Sequence, residues 1–311
     1  MIYARLFDNK KHQNNWLKTI ISFFIPLFPI KIFKSKKLMF FIALLISLRL
    51  VLSITSISIP LFNLSISLSW VPVMIFGWHF GMIYGFLFGA LTDTICFYIF
   101  SSSHGEIWFW MYAIQEPCVC CLAGLFGSIC RLRQKNTSKN HYLDIIVFQI
   151  LLIGFVAINY FVLLHLTWHN AKQNIDDFVF IHNLSKYIAL GVIIGFFIVC
   201  EIFFWIRIFK NKTLHWHNNL YFIYATMLVI ITISIFSFAL GPFISVEYMK
   251  FKNHREPNNF IKYGYMFYLI PRFIEQSIKM PIESIVLASS IVLSQKYIQQ
   301  SIMHSIYQWN I

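Results

Sequence analysis

The stretch MFFIALLISLRLVLSITSISI (Met39 to Ile59) carries one charge, Arg49, near its centre, and from Leu38 to Thr92 no other Asp, Glu, Lys or Arg occurs. About twenty apolar residues rise roughly 30 Å as a helix, which matches the hydrocarbon core of a bilayer. An arginine at the middle of such a span costs about 2.5–3.5 kcal/mol on insertion scales, so it faces a partner, a wet cavity or a ligand. Arg49 is therefore the first candidate functional residue.

The rest of the chain has the same solvent. With 58% hydrophobic and 12% charged residues, 311 residues cannot hide their apolar surface in one water-soluble core. The formal net charge of +13 would suggest nucleic acid in a soluble chain. Here the basic residues collect in short segments between apolar runs, the pattern of cytoplasmic loops. The anionic inner leaflet attracts such segments, so membrane lipid is the expected partner and nucleic acid is not.

Hydropathy and lysine placement predict eight spans: Leu38 to Thr55, Trp70 to Phe80, Gly81 to Phe100, Trp108 to Cys130, Leu143 to Leu166, Tyr187 to Trp205, Leu220 to Phe243 and Tyr265 to Leu293. The basic run RLRQKNTSKNH (Arg131 to His141) and the cluster Arg207, Lys210 and Lys212 both read as cytoplasmic loops, which puts both termini in the cytoplasm. Glu247 to Lys262 reads as an outside loop despite its basic residues. Before the first span, Thr19 to Ile30 is apolar but short, holds Pro26 and Pro29, and has lysines on both flanks. It reads as an interfacial segment.

Inside the spans, polar features are few. Gly81, Gly85 and Gly89 form a small-residue ladder on one helical stripe, whose first meaning is close helix contact. Asp93 continues that stripe. Arg272, Glu275, Lys279 and Glu283 recur every three or four residues on the last span, with Glu275 to Lys279 and Lys279 to Glu283 spaced to pair. Such a face lines a bundle interior or a cavity. Trp70, Trp78, Trp108 and Trp110 fall near predicted helix ends, and Trp70 adjoins the serine-rich loop Ser53 to Ser69. Cys118, Cys120 and Cys121 lack zinc-type spacing and read as small core residues. His165 and His169 have no evident third metal ligand. No P-loop, H-E-x-x-H or G-x-S-x-G motif occurs, so no enzymatic chemistry, metal or cofactor is expected.

The runs ALLISLRLVLS (Ala43 to Ser53) and LSWVPVMIFGWHFGMIYGFLFGALTD (Leu68 to Asp93), with LIPRFIEQSIKMPIESIVL (Leu269 to Leu287), resemble the first helices and the last helix of folate-family S components of energy-coupling factor (ECF) vitamin transporters. The resemblance implies an all-α polytopic membrane protein with a six-helix core and about two extra spans. It divides the chain into a basic segment, 1–37, S-component-like helices, 38–130, an expanded central region, 131–262, and a last helix with a cytoplasmic tail, 263–311. It also implies a non-enzymatic subunit of the cell membrane that captures folate or a related vitamin outside. A transmembrane coupling subunit and two ATPase subunits then drive its release inside.

In that family a small-residue patch on the first helix docks the coupling subunit, and Ala43 and Ser47 stand at that place. Arg49 lies about 160° round the helix from Ser47, so one face can meet the partner and the other the cavity. The candidate substrate contacts are Arg49, Trp70, Asp93, Arg272 and Lys279. Asp93 suits either the donor pair of a pterin ring or an interhelical hydrogen bond. Arg272 suits a ligand carboxylate or an interior ion network. Arg49 and the last-helix cations are expected to converge on one pocket for an anionic nutrient. Two other readings stay open: an S component for a different vitamin, and a membrane-embedded enzyme or assembly factor.

Overall fold

The computed structural model describes residues 23–24, 35–55, 57–59, 64–104, 107–135, 141–165, 187, 190–191, 194–195, 197–202, 204–206, 216–254 and 266–307. The fold is an all-α polytopic membrane bundle with one small β-ribbon. Helix α1 is Lys36–Ile54, opened by Ser35, whose hydroxyl accepts from the Leu38 amide. The loop after it is a short antiparallel ribbon, β1 (Ile57–Ile59) on β2 (Leu64–Ile66), with Ser58 opposite Ser65. Alternating Ile and Ser over β-branched residues favours this pairing. Strand β2 rests against the last helix.

Helix α2, Trp70–Phe80, is buried at every position from Val71 to Phe80. It rises only about 16 Å. It stops because Gly81 takes φ 91°, a left-handed conformation that glycine adopts without a Cβ penalty. Gly81 therefore breaks the chain between α2 and α3 (Met82–His104) and is not the first rung of a ladder within one helix. The remaining rungs do pack tightly. Against α5 (Gln115–Lys135), which follows the single turn α4 (Trp110–Ala113), a Cβ on Gly85 would stand 2.9 Å from the Cys120 carbonyl oxygen. One on Gly89 would stand 2.6 Å from Pro117 Cα. Gly124 and Gly127 of α5 return the contact to the Gly81 and Trp78 backbones.

Helix α6 is His141–His165, and α7 (Trp216–Thr232) runs through a π-turn, Ile233–Ala239, into α8 (Leu240–Asn253). The π-turn precedes Pro242, which has no N–H for the turn before it, and wider turns of this kind accommodate such a residue. Glu247 to Asn253 is thus helical and not loop; Lys250 donates to Glu247 at 3.2 Å, and His254 ends the helix at φ 54°. Residues 255–262 lie outside the described residues. The basic run after α5 is likewise helical as far as Lys135. Arg133 Nε lies 3.0 Å from Asp144 Oδ1, to which Tyr224 also donates at 2.9 Å, tying α5, α6 and α7 together.

The last helix, α9, is Met266–Tyr307, 42 residues long and continuous through Pro271 and Pro281. It outruns the expected end at Leu293 because Ser294 to Tyr307 contains neither glycine nor proline. Five described helical runs are long and apolar enough to cross a membrane: Lys36–Ile54, Met82–Phe100, Trp110–Gln134, Leu143–Phe161 and Asn219–Asn253. Together with α9 and the shorter Trp70–Phe80 and Phe197–Ile206, helices stand at each of the eight expected places. Apolar side chains such as Phe40, Leu87 and Ile150 are exposed on the rim, where lipid would lie, and Trp78, Phe80 and Phe148 are fully buried. Trp78 is therefore a core residue and not an interfacial one. Of the segment Thr19 to Ile30, only residues 23–24 are described; the Phe23 carbonyl accepts from Ser128 at 2.6 Å.

Candidate functional site

Besides the Arg133–Asp144 pair, two groups of charged side chains among the described residues involve the expected site residues. The first joins α1, α3 and α5. Arg49 grips Glu116 with two parallel bonds, Nε to Oε1 at 3.0 Å and Nη2 to Oε2 at 2.7 Å, and its Nη1 donates to Ser53. Thr92 Oγ1 donates to Glu116 Oε1 at 2.8 Å. Such a fork is the strong geometry for an arginine and a carboxylate. Glu116 is buried and Arg49 nearly so. Asp93, the residue after Thr92, is half-buried and makes no hydrogen bond to another described residue.

Glu116 is absent from the sequence-derived candidates, though a signal for it exists. It is the single charged residue between Ile107 and Cys130, the same kind of anomaly that singles out Arg49. Reading the two lone opposite charges as a pair would have found the bridge.

The second group lies where α9 meets α2 and the π-turn. Lys279 Nζ stands 5.2 Å from the centre of the Trp70 ring, a cation on an aromatic face, and 3.9 Å from Glu283 Oε2. Phe236 meets Trp70 edge-on at 6.5 Å between centroids. Of the two expected pairs on α9, Lys279 and Glu283 are together, whereas Glu275 accepts from Gln276 at 3.4 Å. One turn nearer the start of α9, Arg272 Nη2 donates to Ser245 of α8 at 2.7 Å, and Ser245 lies 3.2 Å from the Tyr112 hydroxyl.

The cations expected to converge are held by different partners. Arg49 is neutralised by Glu116, and Arg49 and Arg272 share no hydrogen-bond partner among the described residues. The cause is a carboxylate supplied by α5, which meets the arginine before any ligand does. The structure instead brings Trp70 to Lys279, linking the start of α2 to the middle of α9. On the far face of α1, Ala43 and Ser47 are exposed, and Ser47 donates back to the Ala43 carbonyl at 3.0 Å. Cys120 is buried, with its thiol 3.0 Å from the Val73 carbonyl, while Cys118 and Cys121 are half-buried. His169 lies outside the described residues, as does the side chain of His165.

These helices and their interior charges define a polytopic membrane protein with ion pairs at its core. The family described as the substrate-specific component of ECF transporters matches residues 37–206, more than half of the chain. Uncharacterized proteins of Mycoplasma pneumoniae and Mycoplasma genitalium are 33% and 34% identical to it over 267 and 265 residues, covering 83% of this chain and 89% of each relative. No solved structure matches. The chain belongs to the family of ECF transporter substrate-specific components, membrane subunits that bind the transported substrate. The match runs from α1 into the central region as far as residue 206 and names no vitamin.

Proposed function

We propose that this chain captures folate or a closely related vitamin at the outer face of the cell membrane and releases it inside. It would do so when docked to a transmembrane coupling subunit served by two ATPases. One observation carries the reading: Lys279 lies over Trp70, so the two stretches that bear the folate-family resemblance, far apart in sequence, meet at one interior point. Such a point offers a flat aromatic wall beside charge, which is what a planar, charged nutrient needs.

In this reading Trp70 and Lys279 are the central contacts. Arg272, whose hydrogen bond among the described residues is to the hydroxyl of Ser245, is available for a ligand carboxylate; that bond is cheaper to exchange than a close ion pair. Arg49 would have to give up Glu116 to bind ligand, so its first role is to fasten α1 to α5. Asp93 supplies a half-buried acceptor one residue past Thr92. The β-ribbon that precedes Trp70 in the chain, with β2 leaning on α9, would cover the ligand. The exposed Ala43 and Ser47 allow close backbone approach, which suits the coupling subunit. Both termini are read as cytoplasmic from the lysine distribution.

A thermal-shift screen of the detergent-purified protein against the common vitamins tests this. Folate is expected to raise the melting temperature of the wild type, with the response lost in Trp70→Ala and Lys279→Ala. Stabilisation by another vitamin alone would replace folate, and silence across the panel would remove the capture role.

A further inference from the structure

The face of α9 turned towards α2 and α7 holds more hydrogen-bond acceptors than it has used. Among the described residues, neither carboxylate oxygen of Glu283 has a hydrogen-bond partner, and Glu283 is 0% exposed. The same is true of Gln276 Oε1, two turns earlier on that stripe, and of Ser284 Oγ. Lys279 lies between them but does not satisfy them. At 3.9 Å its ammonium is an ion-pair neighbour of Glu283 and beyond hydrogen-bond reach, because it is drawn onto the Trp70 ring. Buried carboxylate oxygens left bare are costly, and native proteins keep them where something else supplies the donors.

The arrangement contrasts with Arg49 and Glu116, where an equally buried carboxylate has three bonds. What the α9 group lacks is a donor pair spaced like a guanidinium fork, carried on something flat enough to lie against Trp70 alongside the Lys279 ammonium. A 2-amino-4-oxopyrimidine edge has this form: an exocyclic amino group beside a ring N–H, both in the plane of the ring. Pterins carry that edge and so does guanine.

We infer that Glu283, with Gln276 two turns earlier on the same stripe and Trp70 as the wall, recognises a planar ring bearing two adjacent N–H donors, so that this end of the ligand is read by acceptors and not by cations. The inference rests on the proposal that the chain captures a vitamin. It moves the pterin contact from Asp93 to α9 and adds Glu283 and Gln276 to the specificity-determining residues.

The test uses the full chain in detergent, with thermal shift and titration calorimetry for folate, pterin, guanosine and lumazine, together with the common vitamins that lack the edge. Lumazine is the pterin ring with oxygen in place of the 2-amino group. Folate or pterin is expected to bind, lumazine at least tenfold more weakly than pterin, and Glu283→Gln to weaken pterin roughly 10- to 100-fold, as for a lost bond to a charged group. Guanosine binding more tightly than pterin would keep the edge and change its source. Equal affinity for pterin and lumazine overturns the inference, as does unchanged pterin binding in Glu283→Gln, while the capture role survives. Binding solely of a vitamin without the edge has the same meaning. No binding by any compound overturns both. Should Glu283→Gln fail to fold, the wild-type comparison of pterin with lumazine decides by itself.

Discussion

Two buried carboxylates sit in the same bundle and are treated in opposite ways. Glu116 receives an arginine fork and a threonine hydroxyl, whereas Glu283 has a lysine nearby and no hydrogen bond among the described residues. A buried ion pair repays its desolvation only when its remaining lone pairs are also served. By that measure the first is a fastening between α1, α3 and α5, complete without a ligand. The second is unfinished, which is the state expected of a place built to receive something.

The largest effect is expected at the fastening. Glu116→Ala leaves the Arg49 guanidinium buried and unpaired and should cost about 3–5 kcal/mol, read as a lowered melting temperature in detergent. Pairing it with Arg49→Met should recover most of the loss. An unaltered melting temperature in the single variant would mean that Glu116 fastens nothing.

The opposite sign is expected on α9. Removing both charges in Lys279→Met/Glu283→Gln should leave stability unchanged or raise it by up to about 4 kcal/mol, since their desolvation is not repaid by hydrogen bonds. The vitamin response should vanish at the same time, the usual trade between stability and a binding site. If this double variant melts lower than wild type, the two carboxylates are both structural and the distinction fails.

Packing gives a smaller effect. Gly89→Leu drives a side chain into the Glu116 and Pro117 backbone and should cost about 1–3 kcal/mol, with loss of the compact species in size-exclusion chromatography. Tolerance of leucine would show that α3 and α5 stand further apart. The smallest effect on folding is expected at Ala43→Leu, on an exposed face: under about 0.5 kcal/mol. Vitamin binding should persist while co-purification with the coupling subunit falls. Normal co-purification would move the docking surface elsewhere.

Much of the fold was legible in the sequence because membranes reward simple patterns. Apolar runs of the right length, each with a single charged residue, gave α1, α3 and α6 within a few residues, and the small-residue stripe at Gly85 and Gly89 gave the α3 contact. Polar helix was harder. The extensions of α5 to Lys135, α8 to Asn253 and α9 to Tyr307 all continue past the hydrocarbon-like stretch, where hydropathy falls silent although nothing in the chain stops a helix.

The site was legible residue by residue but not in its pairings. Arg49, Trp70 and Lys279 stand out by type and place. That Arg49 goes to Glu116, and Lys279 to Trp70, depends on which helices are neighbours, and one sequence does not encode that at sight. The β-ribbon was also missed, because two three-residue strands lie below the length at which alternation becomes a pattern.

Pro281 falls between Lys279 and Glu283, on a helix that rises about 60 Å from end to end. Since proline offers no N–H to the carbonyl four residues before it, the rod bends more readily at its two prolines, Pro271 and Pro281, and the second lies in the turn that bears these two side chains. Whatever settles there acts at the fulcrum of a long arm, and a few degrees of change becomes a displacement of several ångströms where the arm ends.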